Sequence, residues 1–294
     1  MIISICADKG APGVSTLATL LGLVWPGERV VVETDIAGSD LSFRLRPAAG
    51  GGALGGHLAP DPSIASLATA ARLGLAETGP LRYAQSTSLG VPTIPGVLSA
   101  ERFRALQALW PQVAEGLAAW RGMAIADLGR LQAGNPALPV AQASTVVLLL
   151  TTANLEGLYH VRDRVAELSG TVGLPGRARS SLGVVVTGEL QDRRSSCEQV
   201  RQVLASIGSP APVVGFMARD PAGARGLWAG ELTRRFAGSD LVRSVRETAE
   251  SVLASWPELR PIADPAITPP AAADESRAGS TQATRSAVME GATP

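Results

Sequence analysis

One lysine, Lys9, stands among the 26 basic residues of this 294-residue chain, and every other one is arginine. Asparagine, isoleucine, tyrosine and phenylalanine are scarce too, while alanine, glycine, proline and arginine abound. That pattern is the imprint of GC-rich coding rather than of physics. Neither charge is in excess, since 26 acidic residues balance the 26 basic ones. A strongly basic nucleic-acid module is thereby disfavoured, because such binding needs a cationic surface to displace counterions. A local basic patch stays open. Two cysteines, Cys6 and Cys197, give neither a disulfide framework nor a metal-ligand spacing, so each is expected to be buried and structural. The longest clear apolar run, Val146 to Leu150, falls far short of the roughly 20 residues needed to span a bilayer. The N-terminus passes directly into an apolar β-branched run without a charged region or cleavage site, so no signal peptide is expected and cytoplasm is the default.

What is present is an alternation of strand and helix. Residues 2–7 predict a strand, 8–13 a Gly/Pro loop, 14–24 a buried helix and 30–33 a second strand ending in Thr34-Asp35, together a βαβ unit. Residues 47–62 read as a loop and 63–76 as a helix. Residues 89–94 read as a strand interrupted by Pro92, and 99–120 as a helix broken near Pro111. Strands are expected at 123–126, 146–150, 182–186 and 213–216, and helices at 155–169, 196–207 and 240–256. The unbroken apolar character of Val146 to Leu150 suits a strand covered on both faces. The fold class expected is α/β, a doubly wound, mostly parallel sheet with helices on both faces. Residues 1–261 read as one domain. From 262 to 294 the composition shifts to Pro, Ala, Ser and Thr, which cannot bury enough surface to offset ordering entropy, so a disordered tail is expected.

The segment that carries chemistry is Ala7-Asp8-Lys9-Gly10-Ala11-Pro12-Gly13-Val14-Ser15-Thr16, between the first strand and the first helix, where an α/β sheet binds phosphate. Glycines let backbone N–H groups close around an anion, and the helix N-terminus adds positive potential. A standard P-loop, G-x-x-x-x-G-K-[ST], would place lysine where Val14 stands, so this motif fails on its own.

The whole segment resembles the deviant Walker A loop of the MinD/ParA family of P-loop ATPases, K-G-G-x-G-K-[ST]-[ST]. Lys9 matches the signature lysine, Gly10 and Gly13 match glycines, and Ser15-Thr16 match the hydroxyl pair. Val30-Val31-Val32-Glu33-Thr34-Asp35 resembles the family's second strand, which ends in the switch I aspartate. Met123-Ala124-Ile125-Ala126-Asp127 resembles its Walker B strand. Leu182-Gly183-Val184-Val185-Val186 resembles the strand before the adenine-reading residue, and Val213-Val214-Gly215-Phe216 with Asp220-Pro221 resembles the late strand an Asp-Pro often follows. The likeness spans about 220 residues in order, far more than one motif supplies. It is nearest to a high-GC actinobacterial branch whose loop lacks the P-loop lysine.

The resemblance implies an ATP and Mg²⁺ site and a nucleotide-dependent homodimer. Lys9, Gly10, Ala11, Gly13, Val14, Ser15 and Thr16 would cradle the nucleotide, and Lys9 would reach the partner's phosphates. Asp35 would orient the attacking water as the catalytic residue with Lys9. Ser15 and, through water, Asp127 would hold the metal, and Thr187 would take the adenine-reading place usually held by Asn. Val14 removes a charge-assisted phosphate contact worth roughly 1.5–3 kcal/mol, and no arginine within the loop replaces it. A slow or inactive ATPase is therefore expected. The leading expectation is a nucleotide-dependent switch or positioning protein with a TadZ/CpaE-like role, localising a Tad pilus, secretion or division apparatus through an unidentified protein partner. That partner would be the route to any polar or membrane association.

Alternatives of other classes stay open. One is an active ParA-type partitioning ATPase on DNA, with Arg193-Arg194 and Arg234-Arg235 touching phosphates, although exposed pairs on a neutral chain are more often merely solvated. Another is a scaffold that binds no nucleotide. A dinucleotide site with Glu33 on the ribose is a third, though the loop is not G-x-G-x-x-G. The helix at 240–256 carries Leu241, Val245, Ala249, Val252 and Trp256 on one face, and docking on the sheet is expected over membrane binding because acids share its polar face. His57 and His160 are expected to be structural.

Overall fold

The computed structural model describes residues 1–9, 13–48, 56–75, 79–132, 134–172 and 182–261. Gly10, Ala11 and Pro12 of the loop, and the expected tail at 262–294, lie outside the described residues.

Seven strands form one sheet: β1 (Ile2–Ala7), β2 (Arg29–Glu33), β3 (Thr93–Ile94), β4 (Met123–Arg130), β5 (Val146–Thr152), β6 (Leu182–Gly188) and β7 (Val213–Ala218). Their order is β3-β2-β4-β1-β5-β6-β7, and every pair is parallel. The helices are α1 (Val14–Val24), α2 (Leu41–Arg44), α3 (Ile64–Ala71), α4 (Ala100–Ala105), α5 (Trp110–Ala119), α6 (Leu138–Gln142), α7 (Leu155–Ser169), α8 (Arg193–Ser206), α9 (Pro221–Ala229), α10 (Arg234–Ala237) and α11 (Asp240–Ser255).

The strands are apolar on both faces because both are covered. On one face Cys6, Val32, Ala126, Leu149 and Val186 pack with α3, α5, α7 and α8 through Leu67, Val113, Val165 and Val200. On the other, Ile5, Val31, Ile125, Leu148 and Val185 pack with α1 and α11 through Leu17, Leu21, Val245 and Val252. Both cysteines are buried and free, and burial pushes the Cys6 thiol up to about 12. That leaves no reactive thiolate there at neutral pH.

Several boundaries differ from the sequence reading for identifiable reasons. The helix expected at 63–76 is only Ile64–Ala71, started by the Ser63 cap. The strand expected at 89–94 shrinks to Thr93–Ile94, because Pro92 has no N–H for a ladder. Residues 99–120 divide into α4, a 3₁₀ turn at Gln107–Leu109 and α5, whose first turn takes Pro111 where its missing N–H costs nothing. Helix α8 begins three residues early, taking Arg193-Arg194 into its first turn. No helix among the described residues is long and apolar enough to cross a membrane.

Helix α11 docks as its amphipathic pattern predicts. Leu241, Val242, Val245, Ala249 and Val252 are buried, and Trp256 covers Gly183. Its inner face also carries Ser244 and Thr248, which bond to the outer edge of β7. Ser244 Oγ accepts from Ala218 N at 3.0 Å, and Thr248 Oγ1 accepts from Phe216 N at 3.1 Å. The open edge of the sheet is thus hydrogen-bonded by a helix rather than left as a template for pairing.

Candidate functional site

The register of the three central strands assembles the site. Ile5 of β1 and Glu33 of β2 both align with Asp127 of β4, so the carboxyl ends of these strands lie side by side. Thr34 fixes the end of β2 by donating to the Asp127 carbonyl from its backbone N at 2.8 Å and its Oγ1 at 2.9 Å. This brings the end of β1, Asp35 after β2 and Asp127 of β4 to one edge of the sheet.

Gly13 precedes α1 in the left-handed region, with φ of 106°, which glycine adopts without penalty. A Cβ there would stand 2.9 Å from Met217 Cε, so β7 also reaches this turn. The N-terminus of α1 has no side-chain cap and no acid in its first turn, which leaves its first N–H groups available to an anion. Val14 is buried in the core with Leu17, Leu21 and Ile5. Ser15 and Thr16 are partly exposed on the first turn, and Lys9 is exposed at the loop's start.

Asp127 is fully buried. Its Oδ1 accepts from Gly129 N at 3.0 Å, and its Oδ2 has no hydrogen-bond partner of acceptable geometry, although the Ser15 hydroxyl lies close enough to ease its ionisation. Burial, helped by the nearby Glu33 and Asp35 charges, pushes its carboxyl up to about 7. A buried carboxylate oxygen without a partner, beside a hydroxyl, suits Mg²⁺ or its bound water. That ion takes hard oxygen donors, commonly one or two carboxylates completed by water and phosphate. Among the described residues no cluster of three or more His, Cys, Asp or Glu could hold a metal by itself. A nucleotide-completed Mg²⁺ therefore fits this site better than a protein-caged ion.

Asp35 bonds through Oδ1 to Ala37 N at 2.8 Å, and its carboxyl lies against Gly129, whose φ of 55° and missing Cβ admit it. Burial also raises the Asp35 carboxyl, and Arg130 partly offsets this. Glu33 takes a different role from the ribose-binding one weighed above. It is buried and accepts from Ser39 Oγ at 2.5 Å, Asp40 N at 2.8 Å, Leu41 N at 2.9 Å and Gly96 N at 2.8 Å. Its oxygens are committed to the loop after β2, which holds Asp35 in place and removes the physical basis for a dinucleotide site.

Two further features escaped sequence reading. Asp8, just before Lys9, accepts from Arg164 and pairs with His160 Nδ1 at 2.7 Å, tying the loop's start to α7. His160 thus has the structural role expected of it. A cavity of about 430 Å³ opens beside this tie, lined by Asp8, Lys9, Thr152, Asn154, His160 and Arg219 among others. A second, of about 500 Å³, shares Thr152, Asn154 and Arg219 and adds Thr187, Gly188 and Ser195. Thr187 therefore sits at the end of β6 facing a polar groove. The only sequence signal for Arg219 was its place before Asp220-Pro221.

These features are an all-parallel seven-stranded sheet with a glycine turn after β1 and acids after β2 and on β4, a fold shared with solved structures of MinD and ParA proteins. Comparison with solved structures agrees. The ParA family ATPase from Chlorobium tepidum TLS superposes with a TM-score of 0.64 at 16% identity, over 85% of this chain and 97% of that one. The Pyrococcus furiosus cell division ATPase MinD gives 0.61 at 20% identity, over 86% and 98%. The septum site-determining protein MinD of Pyrococcus horikoshii OT3, complexed with Mg-ADP, gives 0.59 at 18%, over 85% and 95%. No family model and no curated protein matches the chain.

Proposed function

We propose that the protein is a nucleotide-sensing dimerisation switch or positioning protein of MinD/ParA type, with a degenerate Walker A site and slow or absent ATP hydrolysis. One observation carries the reading. Of the two positions where the loop pattern wants lysine, Lys9 is exposed at the site's mouth and Val14 is buried in the core, while Asp127 beside Ser15 keeps an unpartnered oxygen. The groups that would sense Mg-nucleotide are retained, and the group that would load charge onto the protomer's own phosphates is gone.

In this reading Lys9, Gly10, Ala11, Gly13, Val14, Ser15 and Thr16 wrap the phosphates, and Thr187 borders the base. Mg²⁺, when bound to Ser15 and through water to Asp127, would neutralise charge on the phosphate oxygens. Asp35, whose carboxyl packs against Gly129, would hold the attacking water. Lys9 would act across a homodimer interface. Residues 1–261 form the working domain, with 262–294 as an appended tail. The apparatus positioned, a Tad pilus, secretion or division machine, would be met through a protein partner.

The decisive test is thermal unfolding with and without millimolar ATP and Mg²⁺, because a ligand that binds only the native state must stabilise it. The expected result is a rise in Tm together with ATP-dependent dimerisation that Lys9→Ala removes. Turnover should be slow. No shift with ATP would establish the scaffold instead, and family-like turnover abolished by Asp35→Ala would overturn the degenerate-site reading.

A further inference from the structure

We propose that Arg219 supplies from β7 the phosphate-directed positive charge that the loop lacks at Val14. The inference rests on the nucleotide-binding reading and adds the residue that makes binding electrostatically workable. Its basis is the charge arrangement around the two cavities.

Around the 430 Å³ cavity four charged residues stand on the lining: Asp8, Lys9, Glu156 and Arg219. The two acids are engaged. Asp8 is held by His160 and Arg164 from α7, and Glu156 Oε2 accepts from Asn154 Nδ2 at 2.8 Å. The two cations are not held in this way. Lys9 is exposed, and the Glu189 carboxylate nearest Arg219 stands 3.8 Å away, with the two side chains 53% and 66% exposed. Such a pair contributes little. Lys9 and Arg219 are thus the cations on this cavity, and His160 and Arg164 of α7 offset the Asp8 charge beside them.

Position points the same way. Arg219 lines both cavities, so its side chain stands between the Lys9 mouth and the Thr187 groove. Its backbone is fixed at the strand end. Arg219 N donates to Gly188 O at 2.7 Å, and the next residue, Asp220, caps α9 by accepting from Gly223 N at 2.9 Å. Met217, two residues earlier, already packs against Gly13 at the start of α1. A guanidinium launched from this anchored strand end presents a planar fork of donors, which matches phosphate oxygens. A loop lysine is held close to the phosphates by the turn itself. An exposed arginine must be ordered on binding, so the affinity should be modest and sensitive to salt.

The test measures ATP, ADP and adenosine affinity by titration for wild type and for Arg219→Ala, with Tm and circular dichroism as folding checks. Arg219→Ala should weaken ATP by about tenfold or more, the loss of one charge-assisted bond, and leave adenosine unchanged. Arg219→Lys should recover part of the loss. In a Val14→Lys background the effect of Arg219→Ala should shrink below about threefold, because the two cations would serve the same phosphates. Unchanged ATP affinity in Arg219→Ala overturns the assignment. So does an equal loss for ATP and adenosine, which would put Arg219 on the base, or a loss seen only in Arg130→Ala, which would move the charge to β4. Wild-type protein that binds no ATP would overturn the nucleotide reading itself, an outcome distinct from intact binding in the variant.

Discussion

Asp127 is a residue the fold makes costly to ionise. Its carboxyl is buried with one oxygen unpartnered, and its pKa is raised to about 7. In the unfolded chain it would titrate near about 3.9. Between those values the native protein holds a proton that the unfolded chain has released, so stability falls as pH rises through this window and the penalty is complete above the folded value. Burial raises the Glu33 and Asp35 carboxyls too, and both act in the same sense. A tenfold change in an ionisation constant corresponds to about 1.4 kcal/mol. Asp127→Asn should therefore raise Tm at pH 8 without Mg²⁺, and should have little effect near pH 4, where Asp127 is already neutral. Stabilisation by Mg-ATP should grow from pH 6 to pH 8 in wild type and vanish in the variant. A Tm difference independent of pH would refute the assignment. Val14 offers the converse experiment at the neighbouring residue. Val14→Lys should lower stability by about 1–3 kcal/mol through lost core packing. It should nonetheless tighten ATP by about tenfold or more if the new ammonium reaches the phosphates, as read by denaturant unfolding and titration.

At the scale of elements, the contact of α11 with β7 decides how the sheet ends. Thr248 both accepts from Phe216 N and donates to Phe216 O at 3.1 Å, and Gly215 lets the helix approach so closely that a Cβ there would overlap the Thr248 side chain. Gly215→Ala should therefore separate helix and strand, costing about 1–3 kcal/mol by overpacking plus whatever is lost in those bonds. A Tm equal to wild type would show that α11 does not depend on the approach. The elements most legible in the sequence were the buried parallel strands, because Val146 to Leu150 and Val30 to Val32 are continuous apolar runs that suit a doubly covered sheet. Helix α9 escaped notice because Pro221–Ala229 carries two glycines and only Leu227 as a fully buried large side chain, so it shows no 3.6-residue stripe. Helices α2 and α10 are four residues each, too short for any period. The positions of Asp35 after β2 and Asp127 on β4 were legible because they follow from the strands that carry them. Glu33 as a hub, the Asp8–His160–Arg164 tie and Arg219 at the cavities were not, because those contacts join elements far apart in sequence and depend on where side chains point.

At the scale of the molecule, the question is what the neutral surface will bind. Net charge is zero, and among the described residues Arg193 pairs with Glu247 at 2.5 Å, Arg44 with Asp40 at 2.7 Å, Arg164 with Asp8 and Glu167, and Arg243 with Asp240. The pair Arg193-Arg194, which a partitioning role would lay along a DNA backbone, thus has one member engaged from α11. Arg234 and Arg235 lie exposed on the four-residue α10. Backbone binding to DNA draws its strength from released counterions, with a salt slope of about −0.9 per phosphate neutralised. A chain of zero net charge offers no excess of cations for that exchange. The expected result is no mobility shift of duplex DNA by the ATP-loaded protein at 50 mM salt and no stimulation of turnover by DNA. A salt-dependent shift with a slope of several units, lost in Arg234→Ala with Arg235→Ala, would reinstate the partitioning reading and make DNA, rather than a protein machine, the partner.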